Sequence, residues 1–352
     1  MTSTAAVAAE WPADGLETVD GCPACGASGR SILHADLTDR SYLCAPGRWD
    51  LHRCEDCGAA YLDPRPDARS LHLAFASFYD SPSRPLDLAG PPASALRRLR
   101  RSLRNGYLAS RYGYDLRPRS SLGRLVLPLL PRHREQADEL VRHLPRPGHP
   151  STLLDVGCGE GEFIAAMARL GWATEGVEPS PEAAAIARSR GARVTVGSLP
   201  EVRLATEAYD AVTFRLVLEY LRDPAAGLTA CRDALKPGGV LWVASPNIDS
   251  TAHRFFGRDW IFLETPRHAV IFSVESLARL VTSLGFDVVT LEPSRQARWS
   301  FRLSNAIRLG RPPFRDPPRL APRLSLRARL ADAAALRNLD HADVFVLVAR
   351  KR

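Results

Sequence analysis

From residue 152 onward, short apolar runs alternate along the chain with segments whose apolar residues recur at helical spacing. The pattern predicts seven strands, which are expected at 152–156, 173–177, 193–196, 210–214, 240–244, 288–291 and 343–348. Between them it predicts helices at 181–190, 224–235 and 274–284 and a further helix marked by Phe163, Met167 and Leu170. Because strands that alternate with helices pair in parallel, the sequence predicts an α/β fold with a doubly wound sheet.

The first 150 residues lack this alternation, and the chain is expected to divide there into smaller regions. The predicted regions are a flexible tail at 1–20, a cysteine-containing ribbon at 21–66, a helical, arginine-rich connecting region at 67–150 and the α/β domain at 151–352. The connecting region is predicted to contain helices at 67–79, 95–111 and 136–144 and a proline-rich linker at 80–93. A long insertion at 293–341 separates the last two strands and is expected to be a lid, a binding loop or a packing helix.

Composition and charge limit where the protein can be located and what it can bind. The chain has 352 residues and a net charge of +8, and no apolar stretch is long enough to span a membrane. Its first ten residues have neither a basic start nor an apolar signal core, so a cytoplasmic protein is expected. Residues 97–134 contain eleven arginines and one acid, and residues 295–329 contain ten arginines and one acid. These segments are either arginine-rich packing faces or surfaces for phosphates, nucleic acid or an anionic membrane.

Four of the seven cysteines form two C-x-x-C pairs. Cys22 and Cys25 are followed, after 28 residues, by Cys54 and Cys57, and a glycine follows each pair. Four thiolates suit a tetrahedral Zn²⁺ ion, and the glycines permit the tight turns that such a site needs. A redox C-x-x-C would need only one pair. Because protein ligands fill all four positions, the predicted zinc is structural.

A glycine-rich loop follows the first strand of the α/β domain. Asp155 begins the sequence DVGCGEG, in which Gly157, Gly159 and Gly161 separate the strand from the next helix. Such a loop forms a ligand cradle at the carboxyl edge of a parallel sheet, because glycine lets the backbone approach the ligand. The second strand ends at Glu178, and a carboxylate at that point can accept both hydroxyls of a ribose. The pattern predicts a site for a nucleoside-containing ligand.

These motifs resemble those of the class I S-adenosylmethionine-dependent methyltransferases. The similar segments are LDVGCGEG at 154–161, YDAV at 209–212 and LKPGG at 235–239. The resemblance covers about 151–292 and returns at 343–350, and it implies a Rossmann-like sheet of seven strands with an antiparallel last strand. The chain also resembles a narrower group, the bacterial methyltransferases of the methyltransferase-23 type with an N-terminal zinc ribbon. The similar segments are the cysteine pairs, YLDPRP at 61–66, SPN at 245–247, FGRDW at 256–260 and PRH at 266–268.

The family resemblance implies S-adenosyl-L-methionine as the cofactor and assigns residues to it. The implied residues are Asp155, Gly157, Gly159 and Gly161 along the methionine and ribose, Glu178 at the ribose hydroxyls, and Pro179, Ser198 and Leu199 at the adenine. Ser198 departs from the family, in which an aspartate is common, so the Leu199 backbone is a second candidate for the adenine contact. Arg215 is another departure, and it is expected to point at substrate because a positive charge is unfavourable beside a sulfonium.

His268 is the candidate catalytic base. A hydroxyl acceptor benefits from a group that takes its proton, and imidazole titrates near neutrality. The histidine is expected at the carboxyl edge of the sheet, over the methyl donor. In the alternative interpretation it only orders its loop by bonding the backbone, and then Glu264, Glu219 and Tyr220 are the remaining candidates for the base.

The motifs and the resemblance are compatible with three functions. The family resemblance implies methyl transfer to a small-molecule or glycan acceptor, with a hydroxyl in a cell-surface polysaccharide, sugar or secondary-metabolite pathway as the expected target and phosphate-bearing acceptors matching the basic segments. The alternative is an RNA methyltransferase that binds phosphates with the ribbon and the arginines. The sequence has no ladder of aromatic residues and no motif for methylating a base amine, so it offers no support for nucleic acid as the partner. Contact with an anionic membrane is a separate expectation. A non-enzymatic ribbon protein is the third function, and the intact glycine loop with Glu178 argues against it.

Overall fold

The computed structural model describes residues 10–76 and 94–352, which form three sheets and a series of helices. The strands are β1 (Leu16–Glu17), β2 (Arg30–Leu37), β3 (Trp49–Cys54), β4 (Ala60–Leu62), β5 (Arg65–Pro66), β6 (Thr152–Val156), β7 (Ala173–Glu178), β8 (Arg193–Val196), β9 (Tyr209–Arg215), β10 (Leu235–Pro246), β11 (Val270–Ile271), β12 (Phe286–Ser294) and β13 (Val344–Lys351). The α-helices are α1 (Ala95–Tyr112), α2 (Gly123–Val126), α3 (Pro131–Leu140), α4 (Glu162–Arg169), α5 (Pro181–Ser189), α6 (Pro224–Ala234), α7 (Thr251–Phe256), α8 (Val274–Ser283), α9 (Ala297–Arg308) and α10 (Pro322–Ala335). The predicted linker at 80–93 and the position of Phe78 lie outside the described residues.

The largest sheet has the strand order β12-β13-β10-β9-β6-β7-β8. Strands β10, β9, β6, β7 and β8 pair in parallel, whereas β13 is antiparallel to both β10 and β12. The predicted α/β fold with an antiparallel last strand is therefore confirmed. The strand order reverses between β6 and β9, and ligands bind in such sheets at the carboxyl ends of the strands beside that reversal.

The start of α8 shows how a local pattern sets the bounds of a helix. Ser273 Oγ accepts a hydrogen bond of 3.0 Å from the Ser276 backbone, and Ser276 Oγ accepts one of 2.8 Å from the Ser273 backbone. This reciprocal cap satisfies two backbone N–H groups that the first helical turn leaves without partners. The helix consequently begins at Val274, as the sequence predicts.

A four-stranded antiparallel sheet joins the N-terminal region to the α/β domain. Its order is β11-β4-β3-β2, and the registered pair Val270 and Tyr61 connects a strand from each region. The second cysteine pair packs against the same side of the large sheet as α8, where Phe272 and Leu277 are fully buried. We call residues 10–76 the N-terminal module. It is joined to the α/β domain by backbone pairing and by shared apolar packing.

The predicted tail at 1–20 is ordered over the part that the structure describes. Trp11 is buried and its indole Nε1 donates to Ser70 Oγ at 3.2 Å. Leu16 and Glu17 pair with Pro66 and Arg65 as the two-stranded sheet β1–β5. Two-residue strands have no periodicity of their own, so this pairing could not be predicted from the sequence. Residues 1–9 lie outside the described residues.

Helices α1 and α3 pack beside α4 and α5 on one face of the large sheet, and α2 packs against α1. Close contact between α1 and α2 requires two glycines: a Cβ at Gly106 would lie 1.7 Å from the Ser120 carbonyl, and one at Gly123 would lie 1.9 Å from the Leu103 carbonyl. The basic amphipathic helix predicted at 95–111 corresponds to α1. None of the helices in the described ranges is both long and apolar enough to cross a membrane.

The insertion predicted at 293–341 contains two helices, and α10 corresponds to the packing-helix alternative. Strand β12 continues to Ser294, and α9 and α10 follow it. Phe301 on α9 is fully buried against Phe255 and Phe256 of α7, and Ala328 and Ala331 of α10 join the same apolar cluster. Most of this segment is therefore part of the packed body.

Candidate functional site

The glycine loop lies between β6 and α4, beside the reversal of strand order. Gly157, Gly159 and Gly161 have φ values of +69°, +54° and +79°, a left-handed region that favours glycine. A Cβ at Gly157 would lie 2.5 Å from a methyl of Val217, so this glycine is needed for packing. A Cβ at Gly159 would meet no atom within 4 Å. The loop is therefore backed by protein on one side and open at Gly159.

Glu178 lies at the end of β7, facing this loop. Its Oε2 accepts a hydrogen bond of 2.8 Å from the Gly159 backbone, and its Oε1 accepts one of 3.0 Å from the Ser180 backbone. These two bonds fix the carboxylate next to the open glycine. The arrangement fits S-adenosylmethionine, since it offers an oriented acid for a ribose diol beside backbone that a ligand can approach.

Asp155 is used differently from the sequence-based expectation. Its carboxylate is buried and forms an ion pair with Arg142, and Thr213 Oγ1 donates to its Oδ1 at 2.9 Å. Arg142 also donates to Thr213 Oγ1 at 2.7 Å, and its guanidinium lies 3.5 Å from the centroid of the Phe163 ring. Burial lowers the pKa of Arg142, whereas Asp155 opposes this change. Asp155 thus anchors the start of the glycine loop to Arg142 and Thr213 through its buried carboxylate.

Arg142 could not be predicted as part of the site from the sequence. The residue has a positive φ of 48°, and it follows α3 in a turn that no local motif marks. Its partner Asp155 belongs to a recognisable motif, but the pairing depends on how α3 packs against β6 and β9. A buried acid needs a partner, and this was the one available signal that a cation must lie nearby.

The residues predicted at the adenine lie on the next strands of the sheet. Pro179 follows Glu178 and is exposed. The Gly197 backbone donates to the Glu178 carbonyl at 3.0 Å, so the segment after β8 is tied to the end of β7. Ser198 is half-buried and Leu199 is buried. The structure brings these residues together with the glycine loop, and their contact with the cofactor remains a prediction.

His268 is buried in a loop between β10 and β11. Its Nδ1 donates to the Phe262 carbonyl at 2.8 Å, and burial lowers the pKa of the imidazole to about 3. A base with that pKa is poorly matched to neutral solution. The structure therefore favours the interpretation in which His268 orders its loop, and its catalytic role stays a prediction without geometric support.

Two carboxyl groups near His268 are better matched to proton transfer at neutral pH. Burial raises the pKa of Glu264 to about 7, and the Tyr220 hydroxyl donates to its Oε2 at 2.9 Å. Burial raises the pKa of Glu219 to about 8, a rise that the nearby Ser245 hydroxyl only partly offsets. Among the described residues no donor lies within hydrogen-bonding geometry of either carboxyl oxygen. Glu219 and Tyr220 lie two and three residues after Val217, whose side chain lies against Gly157 of the glycine loop.

The N-terminal module contributes to this region. Phe75 lies 5.8 Å from the Tyr220 ring, measured between centroids. Asp39 forms a two-pronged ion pair with Arg267, and the Arg267 guanidinium lies over the Tyr42 ring at 4.5 Å. We call Glu219 and Glu264, with the Tyr220 hydroxyl, the carboxyl cluster, and residues of the module therefore lie beside it at the edge of the sheet.

Arg215 is exposed at the carboxyl end of β9, where the sequence predicts that it points at substrate. Its charge lowers the pKa of the Glu139 carboxyl on α3, while burial raises that pKa by more. Arg215 thus lies on the α3 side of the glycine loop. Its contact with substrate remains a prediction.

The four cysteines of the two C-x-x-C pairs converge in the N-terminal module. The Sγ atoms of Cys22 and Cys57 are 3.7 Å apart, and those of Cys25 and Cys54 are 3.6 Å apart. All four sulfurs lie within 4.8 Å of one another. A tetrahedral zinc with bonds of about 2.3 Å requires sulfur separations of about 3.8 Å, so the spacing fits such an ion.

The two cysteine loops have the same backbone design. The Gly26 backbone donates to the Cys22 carbonyl at 2.7 Å, and the Gly58 backbone donates to the Cys54 carbonyl at 3.1 Å. Both glycines have positive φ, which confirms the role that the sequence predicts for them in closing each turn. The zinc itself remains a prediction.

A second group with metal-ligand chemistry consists of Asp138, His143 and Glu292. The Trp242 indole donates to His143 Nδ1 at 3.0 Å, so the ring proton lies on Nε2 and faces Glu292. Asp138 Oδ1 already accepts hydrogen bonds from Tyr107 and Tyr112. A metal would have to displace these bonds, and the group is better described as a buried polar network.

The strand order, the glycine loop and the acid at the end of β7 define a Rossmann-like α/β protein built to bind a nucleoside-containing ligand. A family profile described as a methyltransferase domain matches residues 130–291. The ubiquinone biosynthesis O-methyltransferase of Cereibacter sphaeroides is 31% identical over 175 residues, which are 46% of this chain and 71% of the relative. The protein of the same description from Xanthomonas campestris pv. campestris is 37% identical over 117 residues, which are 31% of this chain and 48% of the relative.

Among solved structures, an S-adenosylmethionine-dependent methyltransferase from Mesorhizobium loti is 19% identical, with a TM-score of 0.44 over 62% of this chain and 98% of that chain. The family match and the Cereibacter relative carry the assignment. The chain belongs to the class I S-adenosylmethionine-dependent methyltransferases, and it is an enzyme of that family.

Proposed function

We propose that the protein transfers the methyl group of S-adenosylmethionine to a hydroxyl oxygen of a small molecule. The observation that carries this proposal is the hydrogen bond between the Gly159 backbone and Glu178, which sets an acid beside open backbone at Gly159. The oxygen acceptor is supported by the relatives, which are described as O-methyltransferases.

In the proposed site, Glu178 binds the ribose hydroxyls, and the backbone of Gly157, Gly159 and Gly161 runs along the methionine and ribose. Pro179, Ser198 and Leu199 surround the adenine. The bound cofactor supplies an electrophilic methyl on a sulfonium, and the protein needs only to hold the acceptor in line with it at near-contact distance. The Arg142–Asp155 pair keeps the loop in its bent conformation.

Proton removal from the acceptor is assigned to the carboxyl cluster. As the new C–O bond forms, the acceptor hydroxyl loses its proton, and Glu264 receives one through the Tyr220 hydroxyl. The pKa of Glu264 of about 7 suits this role, whereas that of His268 does not. The reaction then leaves a methyl ether and the demethylated thioether form of the cofactor.

The acceptor class expected from the sequence was a small molecule or a glycan. The relatives point to a hydroxyl on a ubiquinone precursor in their own case, and no comparison favours a glycan. We therefore propose a small hydroxyl compound of either aromatic or sugar type as the acceptor. The RNA alternative has no relative among the comparisons described above.

The test is to incubate the full-length protein with methyl-labelled S-adenosylmethionine and a fractionated cell extract. We expect label in a small-molecule fraction, in a bond that resists mild alkaline hydrolysis, as an ether does and a carboxyl ester does not. Glu178→Gln should abolish the labelling, whereas Glu275→Gln, at an exposed position on α8, should not. Label recovered only in RNA would contradict the proposal and favour the alternative.

For the cysteine cluster we propose a structural zinc ion, supported by the tetrahedral spacing of the four sulfurs. Cys22, Cys25, Cys54 and Cys57 would all be thiolate ligands. No coordination position is then left for substrate or water, so the ion would hold the module together and take no part in the reaction.

A further inference from the structure

A face of exposed leucines lies on α1, α2 and the 3-10 turn that precedes α3. Its members are Leu96, Leu99, Leu122, Leu125, Leu129 and Leu130, whose exposed fractions range from 43% to 79%. We call this set the leucine face. Single exposed leucines are normal on a soluble protein, but six within 35 residues form a concentration that calls for a partner.

The helix spacing shows that the leucine face is a continuation of the protein core. Leu96 and Leu99 share a side of α1 with Leu103, which is half-buried, and Tyr107, which is buried. The inner half of this apolar stripe thus packs against the body, and the outer half extends past it. Leu122 directly precedes α2, Leu125 lies on it, and Leu129 ends the 3-10 turn that follows it. Their spacing of three and four residues along this helical backbone places them on one side.

The crossing of the two helices brings their leucines close together. Gly123 lies against the Leu103 carbonyl, and the Ser120 backbone donates to the Ser102 carbonyl at 2.9 Å. Leu122 is therefore next to the crossing point, and Leu99 is one helical turn away from it on the other helix.

Positive charge surrounds these leucines. Arg97, Arg98, Arg100 and Arg124 are exposed, and across the described ranges their guanidinium groups form no ion pair and no hydrogen bond. The acid in the segment 97–134, Asp115, is already paired with Arg117 and Arg119. The face is therefore both apolar and strongly cationic.

We propose that the leucine face docks the enzyme on an anionic lipid bilayer, with the leucines inserted among the acyl chains and the arginines at the headgroups. This partner matches both properties, since a bilayer of this kind has apolar chains directly below negative charge. A nucleic acid would match the arginines and leave the leucines exposed. A second copy of the same face would bring two positive surfaces together and be repelled.

The test is a flotation assay of the full-length protein with vesicles of phosphatidylcholine alone or of phosphatidylcholine with phosphatidylglycerol. We expect binding to the anionic vesicles, weak binding to the neutral ones and release by high salt. The triple variant Leu122→Ser, Leu125→Ser, Leu129→Ser should reduce partitioning by about tenfold or more. The triple variant Arg97→Gln, Arg98→Gln, Arg100→Gln should reduce binding to the anionic vesicles and leave the weak binding to neutral ones.

The control is Val289→Ser with Leu291→Ser, two exposed apolar residues on the edge strand β12, and it should bind as the wild type does. Circular dichroism and cofactor affinity verify that each variant is folded. The proposal would be overturned if the wild-type protein did not bind anionic vesicles. It would also be overturned if the leucine variant bound them as strongly as the wild type does. A wild-type dimer that the leucine variant converts to a monomer would also overturn it, because a second copy would then cover the face.

Discussion

Asp39 of the N-terminal module and Arg267 of the loop between β10 and β11 form an ion pair in which neither side chain is exposed. Two parallel bonds of 3.0 and 2.5 Å join the carboxylate to the guanidinium, and Arg267 also donates to the Ala74 carbonyl at 2.8 Å. Four backbone N–H groups, of Ser41, Tyr42, Cys44 and Ala45, donate to the same carboxylate. The pair therefore ties the module to the edge of the sheet where the acceptor is proposed to bind.

Breaking this pair from one side should be costly, because it leaves a buried charge without its partner. We expect Asp39→Asn to lower the free energy of unfolding by about 3–5 kcal/mol, measured by urea denaturation. Asp36→Asn is the matched control, since it removes an exposed carboxylate in the same module that pairs with Arg48. Its cost should be below about 1 kcal/mol. Equal costs for the two variants would show that burial of the first pair is not what matters.

The open space at Gly159 leads to a prediction that separates binding from stability. Gly159→Ala would project a methyl group into the hollow assigned to the cofactor, and we expect S-adenosylmethionine affinity to fall by about tenfold or more in titration calorimetry. Gly171→Ala is the control, because that glycine also has a positive φ and open space around it but lies after α4, away from the site.

Both glycine variants should lose about 1 kcal/mol or more of stability, since alanine is strained in the left-handed region. The discriminating measurement is therefore the affinity. If Gly171→Ala weakens binding as much as Gly159→Ala does, the loss comes from general destabilisation and the assignment of the hollow is wrong.

The elements that the sequence predicts well are those with a repeating apolar pattern and a marked end. Strand β8 matches its predicted bounds of 193–196, and β6 matches 152–156, because turn residues flank both segments. Helix α8 begins after its Ser273 cap as predicted. The glycine loop could be predicted for the same reason, since the residues that form it are consecutive in the sequence.

The features that escaped prediction depend on contacts between distant parts of the chain. Arg142 reaches Asp155 through packing of α3, and β11 is a two-residue strand that pairs with β4 from the N-terminal module. His268 was a reasonable base by residue type, but its burial lowers its pKa far below neutrality. Burial is a property of the folded chain, so the sequence offered no means of ranking His268 against Glu264.

The cysteine cluster predicts one zinc ion per chain in elemental analysis of the purified protein. Cys54→Ser should lose most of that zinc and lower the unfolding temperature, because the ion would hold the two cysteine loops together. Cys44→Ser should keep a full complement of zinc, as Cys44 lies outside the cluster and contacts the Ala74 carbonyl. Wild-type protein without zinc, or full zinc in the Cys54 variant, would refute the assignment.

Glu219 predicts a specific dependence of stability on pH. Burial raises its pKa from 4.5 to about 8, so the folded protein holds a proton that the unfolded chain releases above pH 4.5. Unfolding is then favoured increasingly as the pH rises from 4.5 to 8, by a total on the order of 4 kcal/mol. Glu264 and Asp343, whose pKa values are each raised to about 7, act in the same direction.

Glu219→Gln isolates the contribution of this residue, since glutamine keeps the shape and cannot ionise. Its free energy of unfolding relative to the wild type should increase steadily between pH 5 and 8, measured by urea denaturation at each pH. Glu275→Gln, an exposed change, should give a difference that does not vary with pH. Parallel pH profiles for the wild type and Glu219→Gln would mean that Glu219 is ionised in the folded protein over this pH range. The raised pKa assigned to Glu219 would then be wrong.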